Sequence, residues 1–382
     1  MHTLILIDFL PENEKKQFDL KYSTLLKQHQ FNRKLSIPFS GNFFNVATLG
    51  SEESGESNNH FNLPFDIIKI DSFMMITDQE NQRIQIYERN LYYFTIKIKH
   101  NSKFKCKPKR IESSDDGVFV SFDFDDNSLL IKLDKKLLFE KIQKSIKEGI
   151  NIININLDDT LDNLIIWKSE YQSNILALKP INCQLEKFVI VSTQDNMHLI
   201  QSNDGQFLRE AFSDSTIYDL TLFKVDEKIN LLASGNNSVF IFDQLFEEGF
   251  EMNSELHSII YPSSSYGSSL SIIVNEGLNV RNICSRAFLK SGIVQPTKKT
   301  TKEVIAHKQI IIAESASSKI HMFDLFLMKQ TKNSLETFVW DYELVKTFRK
   351  KPVLNYPTSL LIDEYGNLFV VDSKQHRIQI FR

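Results

Sequence analysis

Asn62-Leu-Pro64-Phe-Asp66-Ile-Ile-Lys-Ile-Asp71, continued by Met74-Met-Ile-Thr-Asp78-Gln-Glu-Asn-Gln-Arg83-Ile-Gln-Ile-Tyr87, is nearly repeated at the far end of the chain. The second copy is Asn355-Tyr-Pro357-Thr-Ser-Leu-Leu-Ile-Asp363-Glu-Tyr-Gly366-Asn-Leu-Phe-Val-Val-Asp372, then Ser-Lys-Gln-His-Arg377-Ile-Gln-Ile-Phe381. Each reads as strand, turn, strand, turn, strand, with short apolar runs broken by Asn, Asp and Gly. The step from Asp78 to Arg83 equals that from Asp372 to Arg377, and Arg-Ile-Gln-Ile-aromatic follows in both.

Weaker copies fill the interval. Ile310–Glu314 with Lys319–Phe323 keeps the acid, the step, the base and the closing aromatic. Leu231–Ser234 with Val239–Phe242, and Phe188–Ser192 with His198–Gln201, keep only the apolar frame. Fainter units are Val118–Phe122 with Leu129–Leu133, and Ser271–Val274 with Leu278–Cys284. Second strands then end at positions 78, 122, 192, 234, 274, 314 and 372, mostly 40–44 residues apart. Four short strands per unit at a period of about 40–45 residues is the pattern of propeller blades. The expected fold is all-β, a closed β-propeller of four-stranded antiparallel blades. Seven blades are counted, or six if the unit around Val274 belongs to its neighbour.

The two long steps require insertions. Asp134–Gly149 reads as a helix, with Asp134 as N-cap, Leu138, Ile142, Ser145 and Ile146 on one face, and Gly149 ending it. The second insertion falls between Leu325 and Trp340. Gly41–Gly50 reads as a lone fourth strand, and the last unit stops after three, so the N-terminal strand is expected to close the last blade. Residues 1–38 form an extension ahead of a propeller over 39–382. Within that extension Phe18, Tyr22, Leu25, Leu26 and His29 share one face of a helical arm. The Ser51–His60 stretch reads as a mobile linker.

The 382 residues carry a net charge of −3, so the chain as a whole is no polyanion binder. With 12 Gly and 9 Pro it is not low-complexity, and its 30 Phe suit sheet packing. No apolar run approaches the ~18 residues of a membrane span, and the first residues do not read as a signal peptide. Cys106, Cys183 and Cys284 are too scattered for a disulfide framework or a zinc site and read as small buried apolar residues. An intracellular, cytoplasmic location is expected.

Phe61-Asn62-Leu63-Pro64, Asp78 and Gln82-Arg83-Ile84-Gln85-Ile86 resemble the NHL repeat, as do Pro357, Asp363, Gly366-Asn367, Asp372 and His376-Arg377-Ile378. Gly50–Phe61 is similar to the Gly- and Ser-rich linker ahead of the family's proline. Gln82 and Gln375 depart from the family's Asn, and Gln82 also stands in for its His. The resemblance implies a propeller that recognises proteins, often as the substrate-reading part of a ubiquitin-ligase assembly, and in some relatives RNA. Three scattered cysteines form no RING or B-box, so partners would supply any ligase chemistry.

Asp78 with Arg83 and Asp372 with Arg377 are expected to pair across tight turns as blade-stabilising ion pairs, with Glu314 and Lys319 as a substitute. Catalytic signals are missing. The resemblance includes a metal-dependent lyase, but the nine histidines fall at dissimilar places in their units. No HExxH, GxSxG or Walker pattern occurs. Asp123, Asp125 and Asn127 alternate like calcium ligands without the required Gly and Glu, and read as a solvated turn. No catalytic residue, metal or cofactor is assigned.

One segment is electrostatically distinct. Lys97, Lys99, Lys103, Lys105, Lys107 and Lys109 alternate with apolar residues, and Arg110 adjoins. In extended chain they form one charged row, and a turn near Asn101 is expected to fold it into two adjacent strands. A solvated protective edge, an acidic-protein site and an RNA or phosphate site all fit this pattern. The reading is a monomeric, non-enzymatic propeller that binds a protein partner. The alternatives are an RNA-binding propeller using Lys97–Arg110 and a metal-dependent propeller lyase or hydrolase.

Overall fold

The structure, a computed structural model, describes residues 37–382 except 101–104, 125–126, 159–162, 184–185, 195, 213–215, 226–227, 236–237, 243–256, 261–269, 276–299, 333–334 and 349–353. The helical arm expected over Pro11–Lys34, Lys103 and Cys284 lie outside the described residues, as does the side chain of Cys183. No described helix is long and apolar enough to cross a membrane.

The chain is a six-bladed β-propeller. Strand β1 (Asn45–Gly50) belongs to the last blade. Blade 1 follows as β2 (Pro64–Ile70), β3 (Phe73–Asp78), β4 (Arg83–Glu88) and β5 (Leu91–Lys99). Blade 2 begins as β6 (Lys107–Ser113), β7 (Gly117–Phe124) and β8 (Asn127–Asp134). Helix α1 (Lys135–Lys147) then carries the chain to β9 (Ile152–Asn156), and β10 (Ile165–Tyr171) completes blade 2. Blade 3 is β11 (Ala177–Cys183), β12 (Glu186–Ser192), β13 (Asn196–Gln201) and β14 (Phe207–Phe212). Blade 4 is β15 (Asp219–Val225), β16 (Lys228–Ser234), β17 (Ser238–Phe242) and β18 (His257–Ile260). Blade 5 is β19 (Leu270–Asn275), β20 (Thr300–Glu314), β21 (Lys319–Lys332) and β22 (Leu335–Phe348). Blade 6 is β23 (Pro357–Ile362), β24 (Leu368–Asp372) and β25 (Arg377–Phe381), completed by β1.

The preferred count of seven is therefore corrected to six. Val274 of β19 lies opposite Ile310 of β20, so the units ending at 274 and 314 are the first and second strands of one blade. An apolar strand reads alike in either place, and only pairing separates the two. The excess length before the last blade is a lengthened hairpin, β21 and β22 running 14 residues each.

Closure by the N-terminal strand is as the sequence implies, with Leu49 opposite Ile378 and Gly50 opposite Arg377. The helix also forms where expected. Asp134 Oδ1 accepts from Leu137 N at 2.9 Å, Leu138, Ile142 and Ser145 are buried, and Gly149 comes after it at φ 76°. The role of the strand beyond Gly149 was not legible in the sequence. β9 returns to blade 1 and pairs parallel to β5, Thr95 opposite Ile152 and Ile98 opposite Ile155. The chain thus leaves blade 2 after three strands, adds a fifth strand to blade 1, and comes back. One core cluster joins Ile96, Ile98, Ile153 and Ile155 to Ile111, Val118, Leu133 and Ile142. Blades 1 and 2 share that core.

Side-chain hydrogen bonds cross every junction of the ring. Ser359 donates to Asp66 Oδ1 at 2.6 Å from blade 6 to blade 1, and Thr77 to Lys109 O at 2.9 Å from blade 1 to blade 2. Ser128 accepts from Ile175 N at 3.0 Å, and Ser192 donates to Ile217 O at 3.0 Å. Asp219 accepts from Ser271 Oγ at 2.8 Å and Ile272 N at 2.9 Å, and Ser315 donates to Pro357 O at 2.6 Å. Buried and satisfied, such bonds stabilise by roughly 1 kcal/mol each, and leaving one partner unpaired costs more. Each of the six junctions is thus fastened by at least one such bond.

Candidate functional site

The basic row starts on an outer strand and ends on an inner one. Lys97 and Lys99 lie on β5, while Lys107, Lys109 and Arg110 lie on β6, the innermost strand of the next blade. The two are not adjacent strands, which corrects the expected hairpin, because β5 takes β4 and β9 as neighbours. For the same reason β5 is no sheet edge, and the edge-protection reading fails there. Both strands nevertheless meet the same end of the ring. Arg83, beside the Gln79–Gln82 turn, faces Lys97, and Thr77 just before that turn bonds Lys109 O.

Along this end the cations differ in their surroundings. Lys97 and Lys99 are exposed beside Asn154 and Asn156 of β9, which carry no charge. Lys105 and Lys107 share one carboxylate, Glu80, at 3.6 and 2.5 Å. The Lys107 hydrogen bond holds Glu80 below the ordinary glutamate value, against the opposing effect of partial burial. Lys109 is held by Asp123 at 2.7 Å, whose other oxygen accepts from Ser128, so that Asp123 is engaged by protein groups.

Arg110 is not a surface cation. Its Nε donates to Leu176 O and its Nη2 to Tyr218 O, each at 2.6 Å, with Asp66 at 3.9 Å and the Phe65 ring 4.9 Å from Cζ. One guanidinium from blade 2 therefore ties the starts of the inner strands of blades 3 and 4. Asp66 stands at the matching place in blade 1, since Asp66 N donates to Thr77 and Arg110 N to Ser121, both at 2.9 Å. Burial raises the Asp66 carboxyl, partly offset by Arg110 and Ser359. Next along the inner strands, Glu112 meets Lys179 at 2.8 Å across the blade 2–blade 3 junction. Burial raises the Glu112 carboxyl. On Lys179 burial is the largest effect and lowers it, but the charge and hydrogen bond of Glu112 together with the Asp219 and Asp66 charges outweigh it and leave the ammonium raised. These groups sit on the innermost strands, where a propeller enzyme would carry its chemistry, and each is engaged by the protein itself.

The repeat pairs close as short contacts. Arg83 Nε reaches Asp78 Oδ2 at 2.7 Å, and Arg377 Nε reaches Asp372 Oδ2 at 3.1 Å, all four residues being buried. Asp78 Oδ1 accepts from the backbone N–H of Asn62 at 2.7 Å and Asp372 Oδ1 from that of Asn355 at 2.5 Å, so each acid fixes the main chain two residues ahead of its proline. Burial raises both carboxyls, against the lowering effect of these bonds. Arg83 also donates to the carbonyls of Glu56, Ser57 and His60, at 2.6, 3.0 and 2.8 Å. Arg377 Nη1 takes Glu52 at 2.5 Å. The Ser51–His60 linker is thus pinned rather than mobile, and the two pairs latch the crossing from blade 6 to blade 1. Glu314 and Lys319 stand opposite in register, and Glu314 accepts from Ser317 and lies 3.8 Å from His321.

Among the described residues no group of three His, Cys, Asp or Glu is placed to hold a metal ion. His100 meets Asp158 at 3.3 Å, His307 meets Asp324 at 3.2 Å, and His376 accepts from Leu63 N at 3.1 Å, at separate places in the ring. Cys106 is buried, and burial pushes its thiol up.

Sequence reasoning missed the inner collar. Pro108 stands where Pro64 and Pro357 stand, each followed by a bulge in its inner strand. Its spacing to Phe122 equals that of Pro64 to Asp78, a signal hidden because Phe122 replaces the acid.

No protein-family model matches the chain, and no curated protein matches it. Among solved structures it is similar to BBS1N in its complex with ARL6DN, at 10% identity and TM-score 0.45 over 91% of this chain and 97% of that one. It is also similar to the Neurospora crassa Pan2 WD40 domain, at 10% identity and TM-score 0.43 over 89% and 94%. BamB from Moraxella catarrhalis matches at 11% identity and TM-score 0.37 over 91% and 96%. The propeller class stands on this chain's own strand pairing.

Proposed function

We propose that this propeller is a non-enzymatic platform for protein–protein interaction. The observation that carries the reading is where its charges are used. On the inner strands Asp66, Arg110, Glu112, Lys179 and Asp219 are consumed as fasteners between blades, whereas Lys97 and Lys99 stand exposed on β5, the fourth of five strands of blade 1. A ring whose inner groups hold it together, with exposed charge farther out, supports recognition rather than turnover. The narrower reading, from the likeness of the two clear repeats to NHL units, is substrate recognition within a ubiquitin-ligase-type assembly supplied by partners.

The test is co-purification of the tagged full chain from its own cells at native abundance, with cross-linking. A protein partner recovered in stoichiometric amount and cross-linked to the propeller is expected. Recovery of the chain alone, or with RNA as its main companion, overturns the reading.

A further inference from the structure

One end of the ring carries a path of cations and rings running from rim to channel mouth. At the rim are Lys97 and Lys99. Lys97 and Lys99 share with Arg83 the face of the sheet turned to the Ser51–His60 linker, and on the blade 2 side of the same end stand Lys105 and Lys107, two cations on the single carboxylate of Glu80. At the mouth the Phe65 ring is half-buried, with Lys109 Nζ 5.7 Å from its centre. Blade 6 joins at the start of the strand that carries Phe65, because His376 accepts from Leu63 N, two residues before Phe65. The Ser373–His376 turn places Lys374 over the half-buried Tyr356 ring at 4.5 Å. Among the described residues no ion pair forms on Lys97, Lys99 or Lys374, and Glu80 neutralises one of two lysines. The six lysines Lys97, Lys99, Lys105, Lys107, Lys109 and Lys374 therefore outnumber the two carboxylates that pair with them, Glu80 and Asp123.

Its dimensions come from the sheet. From β5 to β2 is three strand spacings of about 4.8 Å, or about 14 Å, which four extended residues span at about 3.4 Å each. Backbone contacts cannot provide the attraction, since β5 is already paired on both sides. Recognition must come from side chains, with carboxylates against the lysines and an apolar group against Phe65 and Tyr356.

Resting on the platform reading, the geometry points to an extended acidic segment of a partner protein, ending in an aromatic or apolar residue, as the occupant of the path from Lys97 and Lys99 to Phe65, Tyr356 and Lys374. Glu80 occupies the middle of that path and acts as an internal competitor for Lys105 and Lys107.

The experiment is fluorescence anisotropy on the full chain with a labelled hexapeptide, Glu-Asp-Glu-Glu-Asp-Phe, against its Gln/Asn counterpart. Expected is saturable binding of the acidic peptide at about 50 mM salt that weakens strongly near 0.5 M, as screening shortens to a few ångströms. Lys97→Glu with Lys99→Glu should weaken it by about tenfold, a change of about 1.4 kcal/mol. Lys374→Glu should weaken it by about fivefold, and Glu80→Gln should tighten it severalfold. These side chains are at or near the surface, and unchanged circular dichroism and melting confirm that the variants are folded. Equal binding of the neutral peptide, indifference to the lysine changes, or no binding up to about 1 mM overturns the proposal. A decamer of uridylate that displaces the peptide and binds more tightly overturns it in favour of nucleic acid. A partner still recovered by co-purification when the peptide fails leaves the platform standing and removes only this path.

Discussion

Arg110 shows how a residue's role is set by what surrounds its head group. Its planar fork satisfies two carbonyls on different blades and lies over Phe65, which a point-charge ammonium cannot reproduce. Arg110→Met is expected to lower unfolding free energy by about 3 kcal/mol, because buried acceptors lose their donor and Asp66 its counter-charge. Arg110→Lys should recover little of that loss, and denaturant titration measures both. The acids have opposite pH signatures. Asp78 is raised in the fold by burial, so its contribution is present at low pH and fades as pH rises through the range above the ordinary aspartate value. The stability gap between wild type and Asp78→Asn should therefore widen as pH falls from 7 towards about 4. Glu80 is lowered, so its contribution is present at neutral pH and lost as pH falls below the ordinary glutamate value. The gap to Glu80→Gln, below about 1 kcal/mol at pH 7 for so accessible a group, should close in that direction. Thermal melts across pH separate the two signs.

At the level of elements, α1 and β9 are the unusual feature. A strand added in parallel to β5 covers an edge that charged side chains alone would have protected, and it binds two blades through one core. Ile155 is wholly buried in that core. Ile155→Ala is expected to cost about 3 kcal/mol. It should raise amide exchange in β5 and β9 ahead of the other blades, which hydrogen-exchange mass spectrometry reads by segment. Exchange rising equally in all blades would contradict the staple role. The helix was legible from its own residues, since an N-cap, an apolar face and a terminating glycine are local signals. The strand after it was not, because Ile-Ile-Asn-Ile-Asn states only that it can be extended.

Across the whole molecule the ring is closed by pairing its two ends. Phe381 is buried against Phe43 and Phe348, with centroids at 6.0 and 5.3 Å, so the seam between blades 5 and 6 gathers residues from three separate stretches of chain. Phe381→Ala should cost about 4 kcal/mol and still leave one cooperative transition, because every junction is fastened. A separate early transition of the last blade would show that closure is a weak seam. Propeller class and terminal closure were open to reading because Pro64 to Arg83 and Pro357 to Arg377 repeat a turn chemistry that each copy satisfies internally, Asp accepting from the backbone two residues before Pro and meeting Arg five residues on. The blade number and the fate of the lysine row were not. β19 and β20 are both apolar runs, and the alternation of Lys97 to Lys109 is the same whether the strands lie side by side or at opposite radii. Local residue types specify backbone conformation and turns over a few residues. Which strand lies inside, which edge is covered, and whether a cation meets water or a carbonyl depend on partners distant in sequence, and only the packed ring brings those partners together.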